Sequence, residues 1–184
     1  MVTDILIDME FLSLRYDTAI LSLGAVAWDM RAEKFDPEHE LYTVPSLSSQ
    51  TGKVDAGTFA WWMNQADEIR VPLGVEQEMT QETLKTTLEA VSRMVKSYDV
   101  KRIWSHGAAC DLGILKYWYD HFNMPEPWHY QAVRDTRTLF DFCKPLVVYR
   151  SDKDHHALND ARRDAERVYI AYNTLRKHTN GVLI

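Results

Sequence analysis

Two carboxylates lie two residues apart near the amino terminus, where Asp8 and Glu10 follow the apolar residues Ile5, Leu6 and Ile7. In a β-strand, residues two apart point to the same face, so both carboxylates project together. Two anions held this close repel each other unless cations lie between them. Hard oxygen ligands in this arrangement suit Mg²⁺ or Mn²⁺. The pair indicates either a divalent metal site or the solvated end of a strand, and alone it does not decide between them.

Two further acids occur where helices are predicted to begin. Asp111 lies in the first turn of a predicted helix that follows the apolar residues Ile103 and Trp104, and the helix dipole tolerates a carboxylate there. Asp160 ends the segment 155–160, at the start of a long predicted helix. Taken singly, Asp111 could be a simple helix-start acid and Asp160 part of the charged face of an amphipathic helix.

Together these acids form an ordered pattern of Asp8-x-Glu10, then Asp111, then His155-x₄-Asp160. The pattern resembles the DEDDh group of 3′–5′ exonucleases, which have the ribonuclease H-like fold, and the resemblance extends from about residue 3 to 175. The segments 58–65 and 104–111 are most similar to the compact phage and bacterial 3′–5′ exoribonucleases. The resemblance implies a metal-dependent enzyme that releases 5′-mononucleotides from the 3′ ends of single-stranded RNA or DNA.

The same resemblance implies a role for each acid. In-line hydrolysis of a phosphodiester is stabilised by two divalent cations about 3.5–4 Å apart. By similarity to the family, Asp8 bridges both cations, Glu10 and Asp160 complete the site of the attacking water, and Asp111 serves the leaving-group cation. The implied cofactors are two divalent cations, Mg²⁺ or Mn²⁺. Bound cations also explain how an acidic site accepts a polyanion.

His155 is the candidate general base, because a neutral imidazole close to the metal-bound water can accept its proton near neutral pH. His156 is the alternative. The family spacing of four residues between the histidine and Asp160 selects His155. The trio Arg134, Asp135 and Arg137 is interpreted as mainly structural. Asp164 is interpreted as part of an exposed salt bridge with Arg163 or Arg167, with orientation of a metal-bound water as the alternative.

Four residues are candidates for contact with the substrate. Phe11 and Leu12 directly follow the first two acids and are placed to meet the terminal base or sugar, with core packing as an equal alternative. Trp61 and Trp62 are about 100° apart on a helix, so at most one points fully inward. We take Trp61 as the residue that faces the substrate groove or a partner. His106 is interpreted as either a phosphate contact or a loop cap.

The elements that must position these residues follow from the hydropathy pattern. Strands are predicted at 3–11, 19–28, 40–44 and 101–104, with a fifth at 99–104 or 131–134. Helices are predicted at 56–66, 81–97, 108–122, 136–143 and 156–177, with Thr80 as the N-cap of the second. The periodicity permits an α/β fold. The resemblance specifies it further as a ribonuclease H-like α/β sandwich, with a mixed five-stranded sheet, an antiparallel second strand and helices on both faces.

Length and composition restrict the alternatives. A chain of 184 residues predicts a single exonuclease domain over 1–184, and its 46% hydrophobic and 11% aromatic content excludes general disorder. The net charge of −6 argues against binding polyanions by bulk charge, so phosphate contacts should draw on bound cations or on the more basic half after residue 100. The amino-terminal residues lack the pattern of a signal peptide, which favours a reducing cytoplasm.

Two other functions fit the same fold. One is a catalytically silent module that binds nucleic acid or protein, and the other is an oligonucleotidase restricted to very short strands. The complete set of acids favours an active exonuclease. An edge strand or an exposed Trp of the 58–65 segment would also support a homodimer, in which one subunit lends residues to its neighbour's groove. No residue can be assigned to reading the 2′-hydroxyl that distinguishes RNA from DNA.

Overall fold

The computed structural model describes residues 1–144 and 155–179 and shows a five-stranded sheet between two layers of helices. The strands are β1 (Asp4–Phe11), β2 (Ile20–Trp28), β3 (Pro37–Thr43), β4 (Arg102–Ser105) and β5 (Val133–Asp135). The helices are α1 (Ala56–Met63), α2 (Asp67–Met79), α3 (Leu84–Lys96), α4 (Ala108–His121), α5 (Thr136–Phe142) and α6 (Ala157–His178). Among the described residues, no helix has the length and hydropathy needed to cross a membrane.

The strand order is β3-β2-β1-β4-β5, with β1 at the centre. Strand β2 is antiparallel to both of its neighbours, whereas β4 and β5 run parallel to β1. The carboxyl ends of β1, β4 and β5 therefore meet at one edge of the sheet. This topology confirms the predicted mixed sheet with an antiparallel second strand, and the fifth strand corresponds to the 131–134 alternative.

Side chains of β1 alternate between two apolar layers. Ile5 and Ile7 pack in a cluster that includes Leu88 of α3 and Leu115 of α4. Leu6 points the other way, into a cluster that includes Val168 of α6. Helices thus cover both faces, as predicted. A strand covered on both faces holds its polar residues out of water, which is why the acids of β1 are buried.

A buried ion pair joins β1 to β4. Asp4 is fully buried and accepts hydrogen bonds from Arg102 Nε at 2.6 Å, Arg102 Nη2 at 2.8 Å and Trp104 Nε1 at 2.7 Å. Burial alone would lower the pKa of the Arg102 guanidinium, but the hydrogen bonds to Asp4 and the negative charge of that carboxylate together leave the pKa raised. The pair fixes the parallel register at the amino ends of these two strands.

The start of α6 packs directly on the middle of β2, at Gly24. A Cβ atom at this position would lie 2.4 Å from the backbone carbonyl carbon of Ala157. Gly24 is also the cross-strand partner of Asp8. The missing side chain therefore lets the first turn of α6, which carries Asp160, approach the part of the sheet that carries the acids of β1.

Helix α2 is absent from the sequence prediction. Pro72 and Gly74 lie inside it and have low helix propensity, and none of its residues is buried. Its first turn instead carries Asp67 and Glu68, which suit the positive end of a helix dipole.

The predicted N-cap of α3 is also wrong. Thr80 follows the end of α2, and its hydroxyl donates to the carbonyl oxygen of Val44 at 2.6 Å. The cap is Thr83, whose hydroxyl accepts the N–H of Thr86 at 3.1 Å while the Thr86 hydroxyl accepts the N–H of Thr83 at 2.9 Å. These two reciprocal bonds form a capping box, which satisfies two backbone N–H groups that have no partner within the helix. Helix α3 therefore begins three residues later than predicted.

Candidate active site

A cleft of about 540 Å³ opens where β1 ends. Asp8 and Glu10 of β1, Asp111 in the first turn of α4, and His155 just ahead of α6 all line it. These residues are separated by up to about 150 positions in sequence, yet the parallel strand ends and the start of α6 bring them to one edge of the sheet. The fold therefore assembles three of the predicted acids and the predicted base around one opening.

The fourth acid, Asp160, lies just behind this surface. Ligand atoms of Glu10, His155 and Asp160 are all within 4.8 Å of one another. The Nδ1 atom of His155 is 3.9 Å from Oε1 of Glu10. Asp160 is 1% exposed, and its Oδ1 atom contacts the guanidinium of Arg163 one turn further along α6. A carboxylate, an imidazole and a second carboxylate thus form one compact donor group.

All four acids are buried, with 1% to 9% of each residue exposed. Burying an anion is costly unless a cation or hydrogen-bond donors compensate it. Arg163 supplies one positive charge, but four neighbouring carboxylates need further positive charge to offset the cost of their burial. Carboxylate oxygens are the donors that hard divalent cations prefer. The donor set of this cleft therefore fits divalent cations.

Helix α1 holds His155 in place. The His155 ring lies edge-on to Trp61, with centroids 4.9 Å apart and planes at 89°, and its centroid is 6.0 Å from that of Trp62. The indole N–H of Trp62 donates to the carbonyl oxygen of Phe11 at 3.1 Å, which ties α1 to the end of β1. His155 has φ of 49°, in the left-handed region that a residue with a Cβ seldom adopts without supporting contacts.

His156 faces a different part of the molecule. Its ring stacks on Tyr42 of β3, with centroids 4.5 Å apart, and its Nδ1 atom accepts the N–H of Asn159 as the N-cap of α6. Burial and a hydrogen bond to Glu76 raise the pKa of the Tyr42 hydroxyl. His156 does not line the cleft, and this difference in placement agrees with His155 as the candidate base.

His106 lines the cleft and is also anchored from behind. Its Nδ1 atom is 3.2 Å from Asp164 Oδ2 and 3.1 Å from the hydroxyl oxygen of Thr136. Asp164 accepts a hydrogen bond from Arg167 at 3.0 Å, so the predicted ion pair is present. It is buried rather than exposed, because Asp164 is 1% exposed. His106 therefore joins the loop after β4 to both α5 and α6.

The remaining predicted substrate contacts divide into two groups. Phe11 and Trp61 line the cleft. Leu12 does not, because its side chain is 5% exposed and packs with Leu21 and Trp62 in a separate apolar cluster. Leu12 is thus a packing residue, which was the alternative that the sequence left open.

A family model described as the Rv2179c-like 3′-5′ exoribonuclease domain matches residues 3–171. The chain belongs to this family. It is therefore a 3′–5′ exonuclease domain, as the DEDDh pattern implied. No curated protein matches the chain.

Solved structures share the fold of this exoribonuclease domain. The nuclease domain of 3′hExo, a DEDDh family member bound to rAMP, matches with a TM-score of 0.58 and 13% identity, over 95% of this chain and 92% of that one. E. coli Exonuclease I in complex with a dT13 oligonucleotide gives 0.60 and 12%, over 96% of this chain and 41% of that one. The RNase domain of yeast Pop2 gives 0.58 and 12%, over 96% and 78%. These similarities establish the ribonuclease H-like fold.

The exoribonuclease domain has one cleft residue that the sequence interpretation placed elsewhere. Asp135 is structural, since it caps α5 and accepts the N–H of Ala108 at 2.7 Å. Arg134 is structural as well, since it donates to the carbonyl oxygens of Gln131 and Val133. Arg137, however, lines the cleft. An Asp cap directly after a strand places residue 137 in the first turn of a helix at the strand's carboxyl end, and this signal could have revealed it.

Proposed function

We propose that this exonuclease domain hydrolyses the terminal phosphodiester bond at the 3′ end of single-stranded RNA or DNA and releases 5′-mononucleotides. It acts with two divalent cations, Mg²⁺ or Mn²⁺, and with His155 as general base. One observation carries the proposal: Glu10, His155 and Asp160 converge within 4.8 Å beside a cleft that Asp8 and Asp111 also line.

Asp8, Glu10, Asp111 and Asp160 would hold the cations. When bound, divalent cations offset the charge of the carboxylates, lower the pKa of water and stabilise negative charge on a phosphate. Arg163 keeps the Asp160 carboxylate in position from behind. The buried position of these acids means that their geometry is set by the sheet and by α6 before any substrate arrives.

His155 accepts the proton of the attacking water through Nδ1, the ring atom that faces Glu10. The Glu10 carboxylate then stabilises the imidazolium that forms. The edge-on contact with Trp61 limits rotation of the ring, so the base keeps the same orientation through the reaction.

Phe11 and Trp61 bind the terminal nucleotide through contacts that do not depend on its base. Aromatic side chains stack on any base, and both residues line the cleft. Among proteins of similar fold, Exonuclease I was solved with dT13 and the 3′hExo domain with rAMP. A single strand and a ribonucleotide monophosphate are the kinds of substrate and product that we propose here.

Digestion of matched 5′-labelled RNA and DNA strands of two, five and twenty residues tests the proposal. We expect stepwise shortening from the 3′ end in Mg²⁺ or Mn²⁺, with 5′-mononucleotides as the small product and no reaction in excess EDTA. Strands that are bound but never shortened would support the silent module. Cleavage confined to the two-residue strand would support the oligonucleotidase.

A homodimer stays a prediction, and the structure offers one surface for it. Apolar side chains on α1 and α2 are about half exposed, and they include Phe59, Met63, Val71 and Val75. Exposed apolar patches of this kind often mark contacts between proteins. Static light scattering at several protein concentrations measures the mass directly.

A further inference from the structure

Arg137 places a guanidinium group in a cleft that is otherwise lined by acids, histidines, Thr58 and mostly apolar residues. Among the described residues that line the cleft, it is the one Lys or Arg. Its own side chain is exposed, so it can reach a ligand without first losing a buried partner. A cation that is always charged and lies beside a phosphodiester-cleaving site is placed to bind phosphate.

The guanidinium of Arg137 lies close to the backbone at the start of α4. It lies against Gly107, which has φ of 101° and precedes α4; a Cβ atom there would be 3.2 Å from Arg137 Cζ and Nη1. Asp135 ties the two helix starts together, because it caps α5 and also accepts the N–H of Ala108. Because Gly107 has no side chain, the guanidinium can lie directly against the backbone at the amino end of α4.

Arg137 and His155 lie on opposite flanks of the cleft. His155 also lines a small cavity with Ser22 of β2 and Tyr42 of β3, which places it on the β2–β3 side of the sheet. Arg137 follows β5, the edge strand on the opposite side. The acids of β1, and Asp111 after β4, lie between them.

We propose that Arg137 binds the phosphate one nucleotide upstream of the scissile bond. This inference rests on the proposed function. In-line hydrolysis requires the leaving oxygen to lie opposite the attacking water, and the water is deprotonated at His155. The leaving 3′-oxygen and the strand attached to it therefore extend toward the β5 flank, where Arg137 lies. Its planar guanidinium can hold two phosphate oxygens regardless of base sequence.

The test compares two substrates on wild type and Arg137→Ala. One is a five-residue strand, and the other is a nucleoside 5′-(p-nitrophenyl phosphate), which has a scissile ester but no upstream phosphate. We expect kcat/KM on the strand to fall about 10- to 100-fold, mainly through KM, which is the range for a charge-assisted bond. On the aryl ester, Arg137→Ala should lose kcat/KM by a factor at least about tenfold smaller than its loss on the strand.

Two further measurements separate phosphate binding from a structural role. Loss of one phosphate contact on a single strand should reduce the slope of log affinity against log salt by about 0.7. Arg137→Lys should recover part of the lost affinity, because it keeps the charge but not the two-pronged geometry. A methylphosphonate at the second linkage from the 3′ end removes the negative charge of that phosphate. It should lower kcat/KM of the wild type as much as Arg137→Ala does, and it should lower kcat/KM of Arg137→Ala no further.

Arg134→Ala is the matched control, since Arg134 is exposed, lies on the same segment and, among the described residues, hydrogen-bonds to the backbone carbonyls of Gln131 and Val133. This variant should have the same kcat/KM as wild type on both substrates. Equal losses on strand and aryl ester, or an unchanged salt slope, would overturn the assignment of Arg137. Wild-type protein that cleaves neither substrate in Mg²⁺ or Mn²⁺ would instead reject the proposed function.

Discussion

The imidazole of His155 meets the indole of Trp61 edge-on, with ring centroids 4.9 Å apart. Trp61 belongs to a helix that contributes none of the four acids, and its neighbour Trp62 is hydrogen-bonded to the end of β1. The orientation of the candidate base is therefore set by α1 as much as by α6. A mutation on α1 can be expected to alter turnover without touching a carboxylate.

Substitution of the two adjacent histidines should separate the base from its neighbour. We expect His155→Gln to reduce kcat about 10²- to 10⁴-fold, because it removes the proton acceptor. His156→Ala removes a helix cap and a ring stacked on Tyr42, so it should cost about 1 kcal/mol of unfolding free energy and keep kcat. Steady-state kinetics and urea unfolding of both variants check this. The reverse pattern would make His156 the base.

Asp8→Asn should abolish turnover and leave the fold intact. Loss of several kcal/mol of transition-state stabilisation predicts a decrease of about 10³-fold or more. Without cations, removing one of several buried like charges should leave the melting temperature unchanged or higher. Asp120→Asn is the control, since Asp120 is exposed and pairs with Lys116. An active Asp8→Asn enzyme would contradict the assigned role.

Addition of Mg²⁺ or Mn²⁺ should raise the melting temperature of the wild type. Binding to the native state alone contributes about 2.7 kcal/mol at a cation concentration of 100 times Kd. The shift should disappear in EDTA and shrink in Glu10→Gln, because that variant loses one carboxylate of the donor group. Differential scanning fluorimetry measures it. Nuclease activity that persists in excess EDTA would refute the metal role.

The ion pair between Glu40 and Arg162 should give a defined pH dependence of stability. Its two bonds, at 2.6 and 2.5 Å, lower the pKa of the Glu40 carboxyl. A lowered pKa in the folded state stabilises the protein above the unfolded pKa of about 4.3, and this contribution is lost as pH falls through the folded value. Glu40→Gln should cost about 0.5–1 kcal/mol at pH 7. Urea unfolding should show that this difference shrinks below pH 4.

Asp4→Ala should be among the most destabilising single substitutions. It leaves the Arg102 guanidinium and the Trp104 N–H without their buried acceptor, which costs about 3–5 kcal/mol. Because Asp4 is at the far end of β1 from the cleft, kcat per folded molecule should be unchanged. Urea unfolding with active-site titration separates the two effects. A loss below about 1 kcal/mol would contradict this account of the pair.

The hydropathy pattern predicted the strands and five of the six helices, and the family resemblance predicted the topology of the sheet. Helices α3, α4 and α6 bury several apolar residues at helical spacing, whereas α1 buries only Trp62. Helix α2 escaped prediction since it packs few side chains and contains Pro72. The four acids were recognised because their order along the chain resembles the DEDDh pattern. The local sequence around each acid did not by itself distinguish a metal ligand from a structural residue. Asp4 and Arg137 were not recognised, because their roles come from partners on other elements that only the fold brings close.

The contact between Gly24 and Ala157 has a consequence for how activity can be lost. A methyl group added to this strand would force the beginning of α6 outward and move His155 and Asp160 with it, while the sheet and its own acids stayed as they are. A displacement of about 1 Å at a reacting group can cost 10²-fold in rate. A random screen for inactive variants should thus recover well-folded proteins altered at a site that touches neither nucleotide nor cation.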